Sequence, residues 1–106
     1  MVEQRKILFH LKSLLVNNFS SEVKDVILFG SRVSGNSRSD SDYDLLIILK
    51  EKPDWKTRKK ISELCYDIDL KFDIITDPHI LGEAELSSLR GSQPIFRKAL
   101  SNGIHA

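Results

Sequence analysis

Two short apolar runs on either side of a polar loop are the feature that most constrains the fold. The first run is Val26–Phe29, which ends at Gly30, and the second lies within Tyr43–Leu49. Runs of this length, rich in branched aliphatic residues and bounded by turn-forming residues, predict buried strands. The chain of 106 residues is long enough to bury a core around them, so we expect a single domain over residues 1–106.

Two longer helices are predicted from apolar residues that recur at helical spacing. The first runs from about Glu3 to Asn18. The second follows Asp54, a residue type that caps helix N-termini. Its apolar face consists of Ile61, Leu64, Cys65 and Ile68.

A third strand is predicted over Leu70–Thr76, where apolar and charged side chains alternate, and Asp77-Pro78 is expected to end it. Two short helices are expected in the tail, near Leu81–Leu89 and near Gln93–Leu100. The order of elements is helix, strand, loop, strand, helix, strand, helix, helix. This order predicts an α/β (α+β) fold in which helices pack on a small sheet.

Composition gives no support to several classes of function. Lys and Arg total 16 and Asp and Glu total 15, so a net charge of +1 gives no field that favours nucleic acid or an anionic membrane. The single cysteine, Cys65, permits no internal disulfide and is expected to be a buried packing residue. The N-terminal segment has neither a cleavage site nor a long apolar run. We therefore expect a cytoplasmic protein.

The loop after the first strand nearly matches two phosphate or metal motifs. Gly30 and Gly35 have P-loop spacing, but Asn36 stands where the motif needs lysine, and a strand follows instead of a helix. Asp40 and the alternate acidic residues after it match the first ligand positions of a calcium-binding loop, but Leu45 stands where that loop needs glycine. A cluster of Gly, Ser, Asn and Asp is most often a plain turn. The acidic residues directly before the apolar strands therefore decide between a turn and a functional site.

Asp42 and Asp44 lie at the start of the second strand and, two residues apart, project from one face with Cα atoms about 7 Å apart. Two carboxylates so close repel unless a cation lies between them. Oxygen ligands of this kind favour Mg²⁺. Gly30 permits close backbone approach and Ser31 offers a hydroxyl and an amide, so metal and phosphate are expected to meet between the two strands.

A pair of Mg²⁺ ions about 3.5–4 Å apart needs a third carboxylate. Asp73 is preferred because it is an acid within the apolar third strand. Asp69 shares its face but lies two pleats away, and Asp67 is expected on the helix. The three histidines, His10, His79 and His105, are isolated in the sequence and are not expected to take part in catalysis.

Gly30-Ser31, ten intervening residues, Asp42-Tyr43-Asp44 and a later strand acid at Asp73 together resemble the nucleotidyltransferase superfamily of DNA polymerase β. The pattern is more closely similar to the minimal nucleotidyltransferases, which lack the usual appended helical domain. The resemblance runs from about Val23 to Thr76 and includes the closing segment 92–104. It implies a palm-like fold with a small mixed sheet.

By this resemblance, Asp42 and Asp44 bind the metals and Asp73 completes the triad and helps activate the attacking hydroxyl. Gly30-Ser31 holds the triphosphate, and Arg32 and Arg38 are candidates to steady its charge. Ser34 stands where many relatives carry arginine. The implied cofactor is Mg²⁺, as two ions, with ATP as a substrate.

Small members of the family are often encoded beside an all-helical partner of the HEPN type and act as antitoxins, and some transfer AMP from ATP to a tyrosine of that partner. The resemblance implies this activity here. Two alternatives stay open: a non-catalytic antitoxin that neutralises its partner by forming a complex, and a transferase acting on a small molecule such as an aminoglycoside. For the last, a homo-oligomer could form the pocket that encloses the substrate.

Overall fold

The computed structural model describes residues 4–29, 43–87, 97, 99–101 and 103–106. Its helices and strands are α1 (Gln4–Phe19), β1 (Val23–Phe29), β2 (Tyr43–Leu49), α2 (Trp55–Phe72), β3 (Thr76–Gly82) and β4 (Ile104–His105). Short 3₁₀ helices lie at Ser20–Glu22 and Glu83–Ser87.

The strands form one mixed sheet in the order β3, β2, β1, β4. β1 is antiparallel to β2 and to β4, whereas β2 and β3 are parallel and α2 connects them. A parallel pair needs such a crossover, and a helix is its usual form. The predicted α/β fold with a small mixed sheet is confirmed. The N-terminal ends of β2 and β3 therefore lie beside the C-terminal end of β1.

Alternate residues of the strands divide between two apolar clusters. The helix-covered face carries Val26, Leu28, Tyr43, Leu45, Ile47, Leu49 and Ile80, which pack against Leu8, Leu11 and Leu15 of α1 and Ile61, Leu64 and Ile68 of α2. The opposite face, called the site face below, carries Ile27, Phe29, Leu46, Ile48 and Leu81 together with Ala99 from the tail. The central strands are buried on both faces, which explains their unbroken apolar runs.

The predicted strand Leu70–Thr76 is wrong, since α2 continues to Phe72 and β3 begins only at Thr76. Phe72 follows Ile68 by four residues and packs against the same cluster as the helix. The helical period therefore prevails over the short alternation that suggested a strand. Pro78 does not end the strand, because β3 is an edge strand, where a missing N–H is tolerated.

The N-terminus of α2 is capped as predicted, since the backbone N–H of Thr57 donates to Asp54 Oδ1 at 2.8 Å. This hydrogen bond lowers the pKa of the Asp54 carboxyl. At the other end Asp73 adopts the left-handed conformation (φ 54°), and its N–H donates to the carbonyl of Asp69. Asp is among the residues that tolerate this conformation, which ends the helix.

The tail differs from expectation in its first part. Leu81 and Gly82 complete β3, and Glu83–Ser87 forms a 3₁₀ helix where a longer helix was predicted. Residues 97 and 99–101 are helical, in agreement with the second tail helix. β4 was not foreseen: it pairs with β1, and His105 Nδ1 lies 2.6 Å from Asp25 Oδ2.

Within the described part of the chain, no helix has the length and apolar character to cross a membrane.

Substitution of Gly82 by alanine is expected to destabilise the protein. A Cβ atom here would lie 2.6 Å from the backbone nitrogen of Lys52 and 2.8 Å from the carbonyl carbon of Glu51. Because both neighbours are backbone atoms, the chain itself must shift, and overpacking of this kind costs about 1–3 kcal/mol. Chemical denaturation of Gly82→Ala measures the change, with the exposed neighbour substitution Glu83→Ala as control, expected within about 0.5 kcal/mol of the parent. Unchanged stability of Gly82→Ala would contradict the close approach.

The thiol of Cys65 is expected to be unreactive in the folded protein. Burial, followed by the nearby Asp69 carboxylate, raises the pKa of Cys65 to about 12. That pKa leaves about one thiol in ten thousand ionised at pH 8, and the thiolate is the nucleophile. We expect a disulfide reagent at pH 8 to leave the native protein unmodified and to modify it rapidly in denaturant. Rapid modification of the native protein would contradict the burial of this side chain.

Candidate active site at the ends of two parallel strands

Asp44 is the second residue of β2 and lies at the end of the site face. It pairs with Phe29 of β1 on one side and with Asp77 of β3 on the other. Asp44 is half-buried, whereas the next residues of β2 on the same face, Leu46 and Ile48, are buried. The carboxylate therefore stands where the apolar surface of the sheet ends.

Asp77 and His79 lie on the same face as Asp44. Asp77 is directly opposite Asp44 in the parallel pair, and His79 follows it by two residues. Side chains two residues apart on a strand share a face. One ligand atom from each of the three residues lies within 4.8 Å of the other two. We call these three residues the carboxylate–imidazole cluster.

The imidazole of His79 is held between a carboxylate and an aromatic ring. Its Nε2 lies 3.6 Å from Asp77 Oδ2. Its ring centroid lies 5.8 Å from that of the buried Phe29. The side chains of His79 and Asp77 are 26% and 53% exposed, so the cluster has one apolar wall and one side open to solvent.

Backbone hydrogen bonds fix the register that forms the cluster. The N–H of Tyr43 donates to the carbonyl of Ile75 at 2.8 Å. Asp69, on the last turn of α2, accepts hydrogen bonds from the start of the next segment: its Oδ1 from the N–H of Thr76 at 3.0 Å, and its carbonyl from the N–H of Ile74 at 3.1 Å. Asp69, which was the alternative third carboxylate, thus joins α2 to the start of β3.

The structure places only two of the sequence-predicted site residues among those it describes. Asp44 belongs to the cluster. Asp73 is exposed at the C-terminus of α2, four residues before Asp77, and does not belong to it, so its placement within a strand was wrong. Its role as third carboxylate stays a prediction. The other predicted site residues, Gly30, Ser31, Arg32, Arg38 and Asp42, lie outside the described residues.

Sequence reasoning missed Asp77 and His79. In the sequence, Asp77-Pro78 has the form of a strand terminator and His79 is isolated from other candidate ligands. The sequence feature that could have revealed them is the continuation of the helical apolar pattern to Phe72, which shifts the next strand to Thr76–Gly82. In that frame Asp77, His79 and Leu81 alternate on one face, as Asp44, Leu46 and Ile48 do on β2.

The cluster has the donor atoms of a divalent cation site. Two carboxylates at this separation repel each other in the absence of a positive charge. Carboxylate oxygens suit Mg²⁺ and Mn²⁺, and an imidazole nitrogen adds a ligand that suits transition metals. The side open to solvent leaves room for water or phosphate oxygens to complete a coordination shell.

Solved structures similar to this chain share its fold at low sequence identity. A mutant form of a toxin–antitoxin complex named MntA–HpeT matches with a TM-score of 0.62 and 19% identity over 98% of this chain and 72% of that chain. A toxin–antitoxin structure with AMP-PNP matches with a TM-score of 0.58 and 18% identity, over 91% and 69%. A Shewanella oneidensis complex of a tri-AMPylated HEPN toxin with an MNT antitoxin matches with a TM-score of 0.58 and 18% identity, over 97% and 71%.

Two curated relatives match parts of the sequence. A Methanocaldococcus jannaschii protein, provisionally named a protein adenylyltransferase, is 44% identical over 55 residues, which are 52% of this chain and 56% of that protein. A Staphylococcus aureus spectinomycin 9-adenylyltransferase is 42% identical over 45 residues, which are 42% of this chain and 17% of that enzyme. The matched segment thus spans about half of the first relative and a small part of the second.

A family described as Polymerase beta, Nucleotidyltransferase matches residues 10–98. This range covers most of the chain, including both strands that carry the carboxylate–imidazole cluster and the segment between β1 and β2. The resemblance drawn from Gly30-Ser31 and Asp42-Tyr43-Asp44 is therefore confirmed at the level of the family. The chain belongs to the polymerase β nucleotidyltransferase family.

Proposed function

We propose that this protein is a divalent-metal-dependent nucleotidyltransferase that transfers AMP from ATP to a tyrosine hydroxyl of a HEPN-type helical protein and so acts as its antitoxin. The observation that carries the proposal is Asp44, an acid at the start of a central strand, directly opposite a second acid on the parallel neighbour. In a chain of this family, that end of the sheet is where nucleotide chemistry is expected.

The donor set at this end suits the metal that the reaction needs, because carboxylates are the protein ligands that Mg²⁺ prefers. Asp44 and Asp42, which precedes it by two residues, would hold Mg²⁺, proposed as two ions. Mg²⁺ held by these carboxylates would supply polarisation of the α-phosphate and charge stabilisation for the leaving pyrophosphate.

The remaining roles fall to side chains and amides of this chain. Gly30 and Ser31 follow β1 directly and bind the triphosphate through a closely approaching backbone and a hydroxyl. Arg32 and Arg38 bind phosphate oxygens through charge-assisted hydrogen bonds. Asp73, the third carboxylate that the sequence predicts, accepts the proton of the attacking hydroxyl as a general base.

The proposed acceptor rests on the relatives. The M. jannaschii relative is named, provisionally, a protein adenylyltransferase, and the S. oneidensis structure contains an AMPylated HEPN toxin with an MNT antitoxin. A partner that carries the acceptor would position it against the α-phosphate, which is a large contribution to rate in group transfer. Leu70 and Ile75, 66% and 60% exposed near the end of α2 and just before β3, offer exposed apolar surface for contacts with a partner.

A cytoplasmic location is part of the proposal, because the proposed reaction consumes ATP. The single buried thiol, Cys65, is compatible with a reducing compartment.

Transfer to a small molecule is the weaker candidate. The spectinomycin 9-adenylyltransferase relative supports adenylyl transfer, but the likeness covers 17% of that enzyme. The rest of that enzyme lies outside the matched segment, so the similarity gives no support for a drug-binding pocket in this chain. Neutralisation of the partner by binding alone is the main rival, and it predicts a different response to loss of the carboxylates.

The test is the substitution of Asp44 by asparagine, which keeps the side-chain shape and removes the charge. We expect AMP transfer to fall on the order of a thousandfold, because metal catalysis contributes several kcal/mol and each 1.4 kcal/mol is about tenfold in rate. The assay incubates the protein with Mg²⁺, its helical partner and ATP labelled at the α-phosphate, and measures label on the partner. Asp67→Asn, an exposed acid on α2, is the matched control and is expected to transfer normally.

Protection of cells from the partner separates the two antitoxin mechanisms. If Asp44→Asn loses both transfer and protection, catalysis is the antitoxin activity. If Asp44→Asn still protects while Leu70→Ser or Ile75→Ser does not, neutralisation by binding replaces the proposal.

A further inference from the structure

We propose that the outer surface of α2 is a self-complementary contact through which two copies of this chain associate, with their α2 helices antiparallel. The contact lies away from the candidate active site, because α2 packs on the face of the sheet opposite the site face. The inference therefore goes beyond the proposed function and does not depend on it.

The outer surface of α2 carries large apolar side chains in line with polar ones. Successive residues of a helix are about 100° apart around its axis. By this spacing one line of residues lies opposite the buried side chains Ile61, Leu64 and Ile68. The line, called the outer stripe below, consists of Trp55, Lys59, Ser62, Glu63, Tyr66 and Leu70.

Three members of the outer stripe are of the kind that binds other proteins. Trp55, Tyr66 and Leu70 are 69%, 61% and 66% exposed, although the outward side of a surface helix is usually polar. Trp and Tyr are the residues that most often dominate binding at protein interfaces. The stripe extends about 22 Å from Trp55 to Leu70, at 1.5 Å per residue. A straight line of this length fits another helix.

The charges on α2 identify that helix as α2 of a second copy. Lys56, Lys59 and Lys60 lie in its N-terminal half, Glu63 and Asp67 lie in its C-terminal half, and all five are exposed. A parallel pair of copies would place lysines against lysines. An antiparallel pair places the basic half of each helix against the acidic half of the other, and such complementarity selects both partner and orientation.

The apolar residues also match in the antiparallel arrangement. With a two-fold axis at the middle of the outer stripe, Trp55 of one copy lies level with Leu70 of the other. Lys59 then lies level with Tyr66 of the second copy, where an ammonium group over an aromatic ring is favourable. Because a two-fold contact is isologous, each of these pairs occurs twice.

A simpler interpretation is that this side of α2 is only a solvated helix surface. Lys59 and Glu63 are one turn apart, so they attract each other within a single helix. That attraction accounts for the charges, but it gives no reason for Trp55, Tyr66 and Leu70 to face water on the same line. The two interpretations differ in the state of the full chain in solution.

Self-association would affect contact with a helical partner. The outer stripe includes Leu70, which was named above as exposed surface for such a contact. The second copy and the partner therefore exclude each other at this residue. Self-association leaves the site face uncovered, because α2 lies on the other side of the sheet.

The first experiment measures the mass of the full chain by sedimentation equilibrium, without nucleotide or partner. Because small interfaces associate weakly, protein concentrations should extend to about 500 µM. We expect a reversible monomer–dimer equilibrium, and a dissociation constant that rises at least about tenfold in Trp55→Ser or Tyr66→Ser. Phe9→Ser removes a 72% exposed aromatic ring from α1 and is the matched control, expected to leave the constant unchanged. A parent chain that stays monomeric, or variants that dimerise like the parent, would overturn the inference.

Charge reversal tests whether the two halves of α2 face each other. Lys59→Glu with Lys60→Glu makes the exposed charges mostly acidic, and Glu63→Lys with Asp67→Lys makes them basic. Each double variant alone is expected to be monomeric, because like charges then meet. An equimolar mixture of the two is expected to form a heterodimer, because opposite charges meet again. Double variants that each dimerise as the parent does would contradict the contact.

Introduced cysteines test the orientation. Ser62 lies next to the two-fold axis, so Ser62→Cys is expected to give a disulfide-linked dimer under mild oxidation. In an antiparallel pair, Lys59→Cys places its two thiols about 10 Å apart along the helices, which a disulfide cannot span. Cys65 is buried and does not compete. Linkage in both variants would show parallel pairing, and linkage in neither would place the contact elsewhere; both results overturn the inference.

The helical partner is the other occupant that the experiments distinguish. If the parent chain is monomeric and Trp55→Ser and Tyr66→Ser lose binding to that partner, the outer stripe belongs to the partner and self-association is overturned. A dimer formed through the stripe by a chain that transfers no AMP would instead contradict the proposed function and leave this inference intact.

Discussion

The parallel pairing of β2 with β3 is the constraint on which the site depends. It places Asp44 opposite Asp77, and a slip of one residue would turn every side chain of β3 to the other face. The register is secured at its start, where Tyr43 donates to Ile75 and Asp69 accepts from Thr76. Farther along β3, burial also fixes the register, because Ile80 and Leu81 pack into the apolar clusters on opposite faces of the sheet. Core packing and active-site geometry are thus consequences of the same alignment.

The two faces of the sheet have different roles: one holds most of the apolar core, and the other carries the candidate site. One face carries the larger core with α1 and α2, and the site face carries a smaller apolar cluster that ends at Asp44. Because alternate residues of one strand lie on the two faces, Leu45 packs under the helices while its neighbour Asp44 lies on the site face near Asp77 and His79. The carboxylates therefore lie at the end of a rigid strand, where a metal site can hold its geometry without a dedicated domain.

The proposed reaction requires only a few functional groups from this chain, and the fold explains why so few suffice. Adenylyl transfer requires a metal site, phosphate contacts and an acceptor held in line. The central strands and the segment between β1 and β2 contain candidates for the first two within the family match over residues 10–98. The partner would supply the third.

The sequence by itself determined the family, the mixed α/β class, the strands β1 and β2, and Asp44 as a residue beside the core. These depend on local patterns: unbroken apolar runs, and an acid directly before one of them. It did not determine where α2 ends, because Leu70–Thr76 satisfies a strand period while Phe72 also continues the helical one. Only tertiary structure decided between them, because the packing of Phe72 on the core and the pairing of β3 with β2 are contacts between distant residues. That decision set Asp77 and His79 beside Asp44 and left Asp73 at the end of a helix.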